Sequence, residues 1–210
     1  MFAARTTAAR RAAALAGLTA LLGVLLGYGY GPDQDPFTRA IRALAADAQA
    51  GRWRQAVVSL EELRPALREI EQTLPVARRP QLEEAIARRD RGALAQEITA
   101  LVYLMIRLRF ESCRREALTR YYPAKYRIRA AREHYTQLLA PVIRRRDRER
   151  SSDLHRRIWA AFDAAVAALG RPGFLGRGVV PPDPQGFDKA SAALDEALRE
   201  GFPFLREVMP

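Results

Sequence analysis

Apolar residues recur in this chain at steps of three and four almost from end to end, and that spacing leaves little but α-helix for it to fold into. Phe37, Ile41, Leu44 and Ala48 open the series behind Asp35-Pro36, an acid at the capping position and a proline at the first helical one. Trp53, Val57, Leu60, Leu63, Leu67, Ile70 and Leu74 continue it, and Pro65 within them predicts a kink. Leu82, Ala85 and Ile86 mark a short helix ending near Asp90-Arg91-Gly92. The longest element carries Leu94, Ile98, Leu101, Met105, Leu108 and Ser112, and Val102, Ile106, Phe110 and Cys113 widen its apolar face, as a central helix requires. Tyr121-Tyr122-Pro123 breaks the pattern. It resumes with Ala124, Ile128, Ala131, Tyr135, Leu138 and Val142, bent by Pro141 at the far end, and again with Leu154, Ile158, Phe162, Ala165 and Leu169 after a start at Ser151-Ser152-Asp153. Residues 171–186 hold four glycines and four prolines and read as an exposed loop. Phe187, Ala190, Leu194, Ala197 and Leu198 form the last stripe, followed by a tail whose Phe202, Phe204 and Leu205 can dock on the rest. No run alternates with period two for long enough to make a sheet. The expected fold is an all-α antiparallel bundle of five to seven helices.

The first 31 residues differ in kind. Arg5, Arg10 and Arg11 precede a run from Ala12 to Gly31 without a charge, which is long enough as a helix to reach across the hydrocarbon of a bilayer. Gly27-Tyr28-Gly29 offers small residues where a signal peptidase reads, so a cleaved signal peptide and a retained single transmembrane anchor are both open. Either one places residues 32–210 outside the cytoplasm, in the periplasm or on the periplasmic side of the inner membrane.

The 210 residues carry 35 basic and 24 acidic side chains, a net charge of +11, and all but two of the basic residues are arginine. The densest stretch is Arg144-Arg145-Arg146-Asp147-Arg148-Glu149-Arg150, with Arg156 and Arg157 one helical turn or so beyond. Guanidinium forks suit carboxylate and phosphate. The seven arginines are therefore candidate partner-binding residues, with an acidic protein or anionic headgroups as the contact, against the alternative of a solvated helix end laced with local salt bridges. Nucleic acid rests on charge alone, because no zinc finger, recognition helix or aromatic-interleaved basic strand accompanies it.

Catalytic and metal-binding patterns are sparse. One cysteine and two histidines exclude a disulfide scaffold, a Cys-rich zinc site and c-type haem. Cys113 reads as a small buried side chain on a helix. No Glu-x-x-His pair occurs; Glu133 and His134 are adjacent and point apart, so a metal site requires assembly across helices from Glu111, Glu116, Glu133, His134 and nearby tyrosines. Ser59, Ser112, Ser151, Ser152 and Ser191 lack a nucleophile elbow, and the glycines at 173–178 lack the lysine that ends a phosphate loop. No enzymatic activity and no cofactor are expected.

Two resemblances follow from these residues. Gly51-Arg52-Trp53-x-x-Ala56-x-x-x-Leu60, behind a helix ending in Leu44 and Ala48, resembles the turn and second helix of a tetratricopeptide unit; it occurs once, which implies a helical hairpin and not a solenoid. From Ala93 to Leu169, the long helix ending in Arg109-Phe110, then Ala124, Ala131, Tyr135 and Asp147, then the helix with Phe162, are similar to extracytoplasmic helical modules that accompany bacterial iron permeases. The expected role is an accessory or scaffold subunit of a bacterial envelope that grips an acidic partner or an anionic membrane surface. Metal trafficking in iron uptake is the alternative that the second resemblance implies.

Overall fold

The structure, a computed structural model, describes residues 35–116, 118–173 and 177–209. The expected signal or anchor over residues 1–31 lies outside them. Among the described residues the protein is an all-α helical bundle; no strand forms, and no helix is long and apolar enough to cross a membrane. In chain order the helices are α1 (Pro36–Gln49), α2 (Trp53–Glu62), α3 (Arg64–Thr73), α4 (Arg79–Ala87), α5 (Arg91–Arg115), α6 (Tyr121–His134), α7 (Ala140–Arg150), α8 (Leu154–Ala168) and α9 (Pro184–Gly201). The residues fall into two compact units. Of the described residues, the first comprises 35–69 together with 77–101, the second 70–76 together with those from 102 to 209.

In the first unit the Asp35 carboxylate accepts the backbone N–H groups of Phe37 and Thr38 at 3.0 and 3.1 Å, so the acid-proline start of α1 acts as expected. A tight turn at Gly51, whose φ of 73° suits glycine, folds α2 back on α1. Asp47 holds that hairpin: Oδ1 accepts from Arg52 Nη2 at 2.8 Å and Oδ2 from the Ser59 hydroxyl at 2.9 Å. The helix expected from Trp53 to Leu74 is two helices. Pro65 has no N–H for the carbonyl of Glu61, and the chain breaks at Leu63, whose N–H turns to Leu60 O at 3.0 Å. Asp90 then caps α5 through the N–H groups of Gly92 and Ala93.

The second unit is built around aromatic rings. Phe110 on α5 packs against Phe162 on α8 and Phe187 on α9 with centroids 5.9 and 5.5 Å apart, and Tyr135 stands 6.0 Å from Phe162. Every residue of the stripe from Ala124 to Val142 is buried. Pro141 does not simply bend a helix there. Its ring would clash with the Gln137 carbonyl four residues back, and a π-helical turn over Tyr135–Leu139 widens the backbone just ahead of it. The last helix begins at Pro184, earlier than the apolar stripe suggests, because Asp183 caps it through Gly186 N–H at 2.9 Å and proline suits its first position. Gly201, at the end of α9, lies so close to Ile143 of α7 that a Cβ there would have to displace the Ile143 Cδ1 methyl. Phe202 and Leu205 are buried, so the tail does dock, in a 3-10 turn over Pro203–Glu207.

Candidate functional site

The arginine-rich segment occupies the end of α7 and the start of α8. Ser151 joins the two helices in the left-handed conformation, φ 50°. Asp147 faces across this turn, where its carboxylate accepts the Ser152 hydroxyl at 2.6 Å and the backbone N–H groups of Leu154 and His155 at 3.0 and 2.8 Å. The cap of α8 is therefore Asp147. Asp153, which occupies the capping position in the chain, makes no such bond. Burial works to raise the Asp147 carboxyl, and the Ser152 and backbone hydrogen bonds outweigh it, leaving the group more acidic than an ordinary aspartate.

The seven candidate arginines divide by what they touch. Arg144 donates from Nε to His155 Nε2 at 3.1 Å. Since that nitrogen accepts, the imidazole proton sits on Nδ1, which donates to the Tyr135 hydroxyl at 2.7 Å, and the two rings stack. Burial and the Arg144 charge lower the His155 pKa, with Asp147 opposing, while burial and Asp147 raise that of Tyr135. Arg146 lies over the Phe202 ring at 4.9 Å; burial, with Arg150 and Arg145 nearby, lowers its pKa. These two are part of the scaffold. Arg145 approaches Glu149 at 3.7 Å, Arg157 pairs with Glu200 at 2.7 Å, and Arg156 pairs with Asp153. Arg148 and Arg150 are exposed and have no partner among the described residues. Arg156 is 80% exposed despite its pair. Exposed pairs of this kind are worth under about 1 kcal/mol, so Arg156 can exchange its carboxylate for another.

The other candidate residues are each engaged elsewhere. Glu111 pairs with Arg114 and Arg115, Glu116 with Arg127 and Glu133 with Arg129, and His134 is buried. Among the described residues no group of three or more metal-ligating side chains comes together. Cys113 is fully buried on α5, its Sγ 3.7 Å from Ala124 O, and burial pushes the thiol up to about 11. The hydroxyls of Ser59, Ser112 and Ser152 donate to Asp47, Leu108 O and Asp147.

Periodicity carried no sign of a groove of about 600 Å³ beside the π-helical turn, lined by Lys125, Arg129, Glu133, Gln137, Trp159 and Asp163 among others. Two of its three cations are matched: Arg132 reaches Asp163 at 3.0 Å with its guanidinium 4.8 Å from the Trp159 ring, and Arg129 reaches Glu133. Only Lys125 is left in it without a carboxylate among the described residues. Compared with known proteins, the chain matches no family model, no curated protein and no solved structure.

Proposed function

We propose that the protein is a non-enzymatic helical-bundle accessory or scaffold of a bacterial envelope, periplasmic or anchored in the inner membrane, that binds an acidic partner protein through the arginine-rich turn between α7 and α8. One observation carries this: Arg148 and Arg150 are exposed in the last turn of α7 without a partner among the described residues, and Arg156 in the first turn of α8 is widely exposed, while Asp147, Glu149 and Asp153 are engaged within the segment itself. Two unpaired guanidiniums and a third that is weakly held, all within nine residues of the chain, suit carboxylates on another surface. The candidate nucleophiles support the non-enzymatic side, since Cys113 is buried as a thiol and three of the serines are spent on internal hydrogen bonds.

The test is a triple variant, R148Q/R150Q/R156Q, expressed as the full chain and purified from membranes with its associated proteins. Arg144 and Arg146 stay, because His155 and Phe202 pack on them. The variant keeps its helicity and thermal midpoint, while capture of acidic proteins falls about tenfold at low salt and the difference shrinks as salt rises. An unchanged set of captured proteins at every salt concentration overturns the proposal.

A further inference from the structure

Among the described residues of the second unit, the large hydrophobic side chains left exposed are Tyr122, Tyr126, Val179 and Val180. They are not scattered. Tyr122 and Tyr126 stand one turn apart at the start of α6, 72% and 74% exposed. Residues 171–173 and 177–178 come against that same turn, and between them lies a depression of about 490 Å³, walled by Tyr121, Tyr122 and Lys125 on one side and by Arg171 and Arg177 on the other. Val180 is joined to Arg171 by two backbone hydrogen bonds of 2.8 and 2.9 Å, and Val179 lies against Gly173, so both neighbour residues that line the depression.

The charge of this depression is one-sided. Lys125, Arg171 and Arg177 line it and no carboxylate does. Arg171 and Arg177 have no ion-pair partner among the described residues, whereas Arg114, Arg127, Arg132 and Arg157 each find a carboxylate within 3.0 Å. Lys125 sits over the Tyr121 ring, 5.5 Å from its centroid, which holds the ammonium at the rim. Tyrosines and cations around a small apolar surface are the composition of a membrane–water interface, where amphipathic rings settle at headgroup level and cations meet phosphates.

We infer that this face of the second unit docks on an anionic lipid surface, with Lys125, Arg171 and Arg177 on headgroup phosphates and Tyr122, Tyr126, Val179 and Val180 set into the interfacial layer. A soluble phosphate would satisfy the cations but leave the four apolar side chains in water. Retained as an anchor, the uncharged run from Ala12 to Gly31 would hold the protein at such a surface. Along the chain, roughly 40 Å of helical rise from Tyr121 to Arg150 separates this face from the arginine-rich turn, so a lipid contact leaves Arg148 and Arg150 open to a partner.

The experiment uses the full chain carrying Y126C, labelled with an environment-sensitive fluorophore; Cys113 is buried and stays unlabelled. A second full chain carries the label at R148C. Vesicles of phosphatidylcholine with and without phosphatidylglycerol are added. The label at 126 shifts to the blue with the anionic vesicles only, the label at 148 does not, and K125Q/R171Q/R177Q raises the lipid needed for the shift about 100-fold. No shift at 126, an equal shift with both kinds of vesicle, or abolition of the shift by inorganic phosphate in the buffer overturns the inference. A shift at 148 in place of 126 overturns it too and moves the lipid contact to the arginine-rich turn, whereas a failure of the partner test alone leaves the lipid contact standing.

Discussion

The carboxylate of Asp147 accepts the backbone N–H of His155 at 2.8 Å, across the turn that joins α7 to α8. A residue near the end of one helix thereby closes the start of the next, and the orientation of the arginine-bearing segment depends on it. Asp147→Ala removes three hydrogen bonds and should cost about 2 kcal/mol in urea unfolding. Asp153→Ala, which removes an exposed pair with Arg156, should cost under about 0.5 kcal/mol. Equal costs would mean that Asp147 does not cap α8.

His155 makes stability depend on pH. Its pKa is lowered in the folded protein by burial and by Arg144, so below about pH 6.5 the unfolded chain binds more protons than the folded one. Stability should fall as pH drops from there toward the lower folded value. In His155→Gln that part of the slope disappears, read from urea midpoints between about pH 7.5 and 5.

Cys113 should resist thiol reagents. Its thiol is buried and pushed up to about 11, so at neutral pH the reactive thiolate is rare. Modification in native buffer should run at least about 100-fold slower than in urea.

Two glycines in the left-handed region separate backbone strain from crowding. Gly170 ends α8 at φ 72°, and a Cβ there would meet Val180 O at 2.3 Å and Pro181 O at 2.7 Å, which are backbone atoms that cannot swing away. Gly178 has φ 70° and open space around it. Gly178→Ala should cost about 1 kcal/mol and Gly170→Ala distinctly more, at least about 2 kcal/mol, with thermal unfolding as the measure. The Gly170 variant should also weaken the lipid-dependent shift at position 126, because Val180 is hydrogen-bonded to Arg171, which lines the depression.

Much of the helical framework was legible because burial on one face imposes a period that survives in the residues: the stripes starting at Phe37, Leu94, Ala124, Leu154 and Phe187 all lie in helices. Prolines were legible in position and not in effect. Pro65 splits its segment where a kink was expected, Pro141 is met by a π-helical turn, and Pro184 starts a helix inside an expected loop. A proline removes one donor and crowds one carbonyl, but the chain's response depends on what packs against that point.

Composition and spacing alone thus determined the helical class, the stripes that become core and the location of the densest positive charge, because each is a property of local sequence. Which arginines remain available was decided by the tertiary structure: Arg144 goes to His155 and Arg146 to Phe202, eleven and fifty-six residues away, and Arg148 and Arg150 are left over. The meeting of Tyr122 and Lys125 with Arg171 and Arg177 was decided the same way. Contacts between residues so far apart in the chain arise only once the core has closed, and no periodicity encodes them.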